Sequence, residues 1–139
     1  MAQTVAEVMT RNPATVDSGQ GVDVAAQLMR DNDAGAVIVT EGGHVSGIVT
    51  DRDIAVRVVA DDKAPQTPVR EVCSGEDIAT VGPDTSIDQV IQIMRSKAVR
   101  RIPVVQNDQP VGIVSIGDLA IERDSGSALA DISAAEGNK

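Results

Sequence analysis

The sequence predicts a mixed α/β (α+β) chain in which one β-α-β-β-α unit is written twice. Three observations carry that expectation. Shifted by 65 residues the chain overlays itself, and 13 of the 42 positions from 14 to 55 are identical without a gap; chance gives about 2 or 3 for ordinary composition. Each copy alternates a helical apolar period with short β-branched runs. Each copy also closes on nearly the same junction, "GIVTDRD" from Gly47 to Asp53 and "GIVSIGD" from Gly112 to Asp118.

Taken in order, Val5 to Met9 is a short helical turn, repeated one residue out of step at Val69 to Cys73. Ala14 to Val16 is a short extended piece that ends at the turn residues Asp17, Ser18 and Gly19, and Ala79-Thr80-Val81 repeats it. An amphipathic helix follows, with Val22, Val24, Ala25, Leu28 and Met29 near a 3.6-residue period and Ile87, Val90, Ile91, Ile93 and Met94 in its twin. The runs at 36–40 and 102–105 read as buried strands. Tight turns at 41–44 and 106–109 return each chain as a hairpin, and a second helix starts at Asp51 or Ile116. Residues 3–59 and 69–122 are thus the two expected units, with the Pro- and charge-rich 60–68 as linker and 123–139 as a flexible tail.

Composition narrows the function. Hydrophobic residues make up 42% of the chain, but Phe, Tyr and Trp are absent, so the core is aliphatic. Without aromatic platforms, and with a net charge of -9, nucleic acid is disfavoured. The single cysteine, Cys73, allows no internal disulfide and no multi-cysteine zinc motif; it stands where Met9 stands in the first copy and reads as packing. No stretch has the length of a membrane span or a signal sequence, which makes a cytoplasmic protein the expectation. One His and one Cys, far apart, with no nucleophile elbow or Walker loop, argue against an enzyme. His44 reads as a hairpin-tip surface residue, Met29 and Met94 as core, and Asp61-Asp62 as solvated linker. No catalytic or metal residues are expected.

The two junctions carry the chemistry. Thr50 with Asp53, and Ser115 with Asp118, stand in the S/T-x-x-D relation of a capping box, which needs no ligand. The same atoms suit an anion. A strand-to-helix turn aims amides and the positive end of the helix dipole outward. A hydroxyl adds a donor, and a carboxylate one turn in accepts from a sugar diol.

The order of the "TV" strand, amphipathic helix, "AVIVT" or "RRIPVV" strand and capped junction resembles the CBS domain. Two in tandem, over roughly residues 3 to 122, look like a Bateman module: a stand-alone CBS pair with its units related by a pseudo-twofold axis. The resemblance implies an adenosyl nucleotide such as AMP, ADP or ATP as regulatory ligand in the cleft between the units, with no catalytic cofactor. It places Asp53 and Asp118 on ribose and Thr50 and Ser115 near phosphate. The purine would lie against backbone around Val16, Val37 and Ile48 in one site, and Val81, Ile102 and Ile113 in the other. Arg100-Arg101 stands where the first copy has Gly35-Ala36, and a basic pair there reaches phosphate in similar modules. The site of Ser115, Asp118, Arg100 and Arg101 is therefore the favoured one, with Gly35 and Ala36 approaching across the pseudo-twofold axis. The first site takes a less charged ligand or none. The resemblance further implies a homodimer through the helix faces and an unidentified regulated protein as partner. The alternative is a ligand-free structural or protein-interaction dimer.

Overall fold

The computed structural model describes residues 3–74 and 78–123. Of the expected C-terminal tail at 123–139, Arg123 closes the last helix and the rest lies outside the described residues. The elements run β1 (Thr10–Arg11), β2 (Thr15–Asp17), α1 (Val22–Asn32), β3 (Ala36–Glu41), β4 (His44–Thr50), α2 (Asp51–Ile54), α3 (Ile87–Lys97), β5 (Arg101–Gln106), β6 (Gln109–Ser115) and α4 (Ile116–Arg123). Helix α2 runs on as a π turn, Ala55–Val59, and 3-10 turns occupy Val5–Glu7 and Val69–Glu71. This is the mixed α/β architecture the repeat predicts.

The chain forms two compact units, and each draws one segment from the opposite end of the repeat. Ala14–Ile78 is one; residues up to Pro13 join those from Ala79 on to form the other. Backbone bonds explain the grouping. In the unit carrying the second repeat, the Val5 amide donates to Thr85 O and the Ala6 amide to Pro83 O, at 2.9 and 3.1 Å. In the unit carrying the first repeat, the Val69 amide donates to Gln20 O and the Arg70 amide to Ser18 O, at 2.8 and 3.1 Å. Val5 and Val69 are fully buried there, so each short turn plugs the core it joins.

The hairpins repeat rung for rung. β3 pairs antiparallel with β4 from Ala36↔Thr50 to Glu41↔His44, and β5 with β6 from Arg101↔Ser115 to Gln106↔Gln109. Both carry a bulge at the equivalent step, after Val39 and after Val104. Both turn through two left-handed residues, Gly42-Gly43 and Asn107-Asp108, as a two-residue hairpin of matching twist requires. One face of each sheet packs on its helices. Val16, Val37, Val39 and Val49 meet Val22, Ala25 and Met29 in one core. Val81, Ile102, Val104 and Val114 meet Ile87, Val90 and Met94 in the other.

One strand differs. β2 runs parallel to β3 over three rungs, Thr15↔Ile38 to Asp17↔Thr40. Its counterpart is reduced to a single bridge, Val81↔Val104. The cause is Pro103. The Ile38 amide donates to Ala14 O at 3.0 Å, and Pro103, in the equivalent place, has no N–H to give. The Val81 amide still donates to Pro103 O, and the Val105 amide to Val81 O.

Candidate functional site

Both capping boxes are formed. In the first junction the Thr50 hydroxyl accepts from the Asp53 amide at 3.1 Å and Asp53 Oδ2 accepts from the Thr50 amide at 2.9 Å. In the second, Ser115 Oγ accepts from the Asp118 amide at 3.2 Å and Asp118 Oδ2 from the Ser115 amide at 2.9 Å. Each carboxylate is thus folded onto its own main chain through one oxygen. A carboxylate has about four lone-pair sites, and each cap takes up one of them.

The remaining amides separate the junctions. The first helical amide is answered in both: Asp51 N–H by Gly35 O at 3.0 Å, and Ile116 N–H by Arg100 O at 2.8 Å. The next is not. Arg52 N–H donates to the Asp51 carboxylate at 2.8 Å, whereas Ile116 offers no acceptor and the Gly117 N–H finds none among the described residues. The first junction therefore satisfies its amides internally and carries two carboxylates. The second leaves one amide pointing out of a helix N-terminus, the arrangement that favours an anion.

The other expected site residues fall into two groups. Arg101 opens β5 opposite Ser115, with Arg100 exposed just before it, and their counterparts Gly35 and Ala36 sit beside Thr50 in the same register. Val16, Val37, Val81 and Ile102 point into the cores and can offer a ligand only main chain. Ile48 and Ile113 belong to neither core; Ile48 pairs with Ile38 on the sheet face opposite Val37 and Val49. Asp53 has a further neighbour that spacing alone did not single out, Arg57 Nη1 at 3.8 Å from its Oδ1.

His44 is exposed at its hairpin tip, and Met29 and Met94 are buried. Cys73 is half-buried against the first-repeat core. Burial pushes its thiol pKa up; Asp53 adds to this, while a backbone hydrogen bond and Arg57 oppose it. Among the described residues no group of three or more His, Cys, Asp or Glu could hold a metal ion, and no helix is long and apolar enough to cross a membrane.

A duplicated β-α-β-β-α unit with a capped strand-to-helix junction in each copy defines a tandem regulatory module, and comparison with known proteins gives its family. The CBS domain family model matches residues 5–60 and 69–124; the chain belongs to the CBS-domain family and carries two such domains in tandem. It is 42% identical over 134 residues to the CBS domain-containing protein YhcV of Bacillus subtilis, covering 94% of this chain and 95% of that one. A CBS-domain protein of known structure from Burkholderia ambifaria is 30% identical and superposes with a TM-score of 0.79 over 89% of this chain and 96% of that one. A hexameric CBS-CP12 protein from bloom-forming cyanobacteria is 29% identical, with a TM-score of 0.78 over 89% of this chain and 74% of that one. CBS-pair proteins are typically regulatory rather than catalytic and commonly bind adenosyl ligands.

Proposed function

We propose that this chain is a cytoplasmic, non-catalytic sensor that binds an adenosine nucleotide at the second junction and alters its association with a partner protein. The open Gly117 amide carries the reading. The backbone of Arg100 and Arg101 runs beside the junction, from where their guanidinium groups would bind phosphate oxygens through charge-assisted forks. Ser115 and Asp118 supply the hydroxyl and the sugar-binding carboxylate, and main chain around Val81, Ile102 and Ile113 faces the base. The first junction, with Thr50 and Asp53, holds a less charged ligand or none, because Asp51 already occupies its free amide. A ligand acts as a signal only by binding one conformation more tightly than another.

Calorimetric titration with AMP, ADP and ATP tests this. Binding should be lost on Arg100→Ala/Arg101→Ala and retained on Thr50→Ala. Nucleotide affinity equal in all three proteins would remove the second junction as the site.

A second reading, an interaction module that works without nucleotide, is favoured by exposed apolar side chains. Val59 is 73% exposed, Ile116 53% and Val56 47%. A homodimer through these helices would cover them, a reading that the hexameric state of the cyanobacterial CBS-CP12 relative supports. Light scattering with and without nucleotide separates the readings: a dimer indifferent to saturating AMP, ADP and ATP supports the second.

A further inference from the structure

The unit carrying the first repeat contains a cleft of about 640 Å³ that the capped junctions do not use. Arg57, Arg70, Ser18, Ser46 and Ser74 line it, with Glu41 and Cys73 beside them. Three features make it more than a surface dip. Ser18 is 7% exposed, the only buried polar side chain among the described residues. Its hydroxyl makes no hydrogen bond to any described residue, although its amide donates to Thr40 O. The Ser18 hydroxyl therefore opens on the cleft it lines, since no buried side-chain nitrogen or oxygen among the described residues is left without a partner.

The second feature is the cations. Arg30 pairs with Asp31 and Arg57 with Asp53, and Arg70 is in neither pair. Gly19 leaves room for it: a Cβ there would lie 3.4 Å from Arg70 Nη1. Arg57 sits in the π turn and is anchored through Nη1 to Val72 O at 2.8 Å, which leaves Nη2 and Nε. Such π turns occur often at functional sites.

The third is asymmetry. The repeat places Ala6, Met9, Thr10, Pro83 and Val111 where this cleft has Arg70, Cys73, Ser74, Ser18 and Ser46. The fold itself therefore does not require this set of donors.

We propose that this cleft is a separate binding site for a small oxyanion of the phosphate or sulfate type, held by Arg57 and Arg70 with the Ser18 and Ser74 hydroxyls. Glu41 at the rim weakens it and sets a sign that can be tested. Titration of the full chain with inorganic phosphate and with sulfate, followed by amide NMR, should give saturable shifts at Ser18, Arg70 and Ser74. Arg70→Ala should weaken binding roughly tenfold, as loss of a charge-assisted contact does. Glu41→Gln should strengthen it by roughly two- to fivefold, the scale of one screened like charge. Both side chains are exposed, so neither variant threatens the fold. Shifts confined to Gly117, Arg100 and Arg101, or affinities that neither substitution changes, overturn the proposal and leave an adventitious ion only. The site stands apart from the nucleotide reading: Ile116→Asp, aimed at the second junction, should leave the phosphate response of Ser18 and Ser74 intact.

Discussion

The two repeats fold alike and differ in what they leave unsatisfied. At the first junction Asp51 caps the Arg52 amide; at the second Ile116 leaves the Gly117 amide open. Between the sheet and the short 3-10 turn the contrast reverses. The first-repeat unit keeps a cleft lined by two arginines and three serines, where the other unit has Ala6, Met9 and Pro83. Duplication fixes the backbone and the cores. Divergence at a handful of positions decides where donors face outward. Each half thus carries a candidate anion site, at a different place on the same scaffold.

The cores give the largest expected effect. Ile102 and its counterpart Val37 are both fully buried. Ile102→Ala should cost roughly 2–5 kcal/mol, and Val37→Ala less, because fewer methyl groups leave the cavity. Denaturant unfolding measures both. Equal losses would mean the two cores relax differently, and the equivalence drawn from their registers would end at the backbone.

Much of this was legible in the sequence because the repeat checks itself. An apolar period seen twice at the same spacing fixes α1 and α3, and the start of the second helix was readable at Asp51 and Ile116 from S/T-x-x-D. What escaped depends on single atoms or distant contacts. Pro103 removes one N–H and shortens a strand, a loss visible only once the Ala79 carbonyl it would have met is known. The compact unit that receives Val5 or Val69 is set by carbonyls some 50 to 80 residues away, which no local pattern encodes. The Asp51–Arg52 contact needed coordinates, since an aspartate at that position serves equally as a solvated charge. The polar cleft was hidden because Arg70 read as part of a short helical turn and Ser18 as a turn residue.

The junctions can be exchanged. Ile116→Asp should place a carboxylate on the Gly117 amide as Asp51 does on Arg52, and add a negative charge beside the proposed phosphate site. Ile116 is half-exposed, so the fold tolerates the change. Nucleotide affinity should fall at least roughly tenfold, about 1.4 kcal/mol, with the melting midpoint of the free protein nearly unchanged. Asp51→Ile should do the reverse and let the first junction gain affinity for a phosphate-bearing ligand. If Ile116→Asp binds AMP as the parent does, the open amide plays no part in recognition.

The ends of the first helices differ by about 1 kcal/mol. Both α1 and α3 stop on a left-handed residue, Asp33 at φ 51° and Ala98 at φ 54°. Asp tolerates this conformation and Ala does not, while Gly adopts it freely. Ala98→Gly should therefore stabilise the protein by about 1 kcal/mol, and Asp33→Gly by less. Destabilisation by Ala98→Gly would show that the Ala98 methyl makes packing contacts worth more than the backbone strain.

The smallest effect separates Cys73 from Met9, its counterpart, which cannot titrate. Burial raises the Cys73 pKa above the ordinary thiol value of 9.0. The folded protein then holds the thiol proton more tightly than the unfolded chain does. That contribution to stability is complete below the ordinary thiol pKa and is lost as pH rises through the raised one. Wild-type stability should decline from pH 8 to pH 10 more steeply than that of Cys73→Ala, which lacks the group. Because the thiolate is the nucleophile, alkylation of Cys73 by iodoacetamide at neutral pH should also be slower than that of an unstructured cysteine peptide. The two readouts fail differently. Parallel stability curves with slow alkylation mean that the thiol is only sterically shielded, whereas fast alkylation means that Arg57 outweighs burial and holds a thiolate. In that case the sulfur carries negative charge into the cleft that Arg57 and Arg70 line, and phosphate affinity should then rise as pH falls below the thiol pKa.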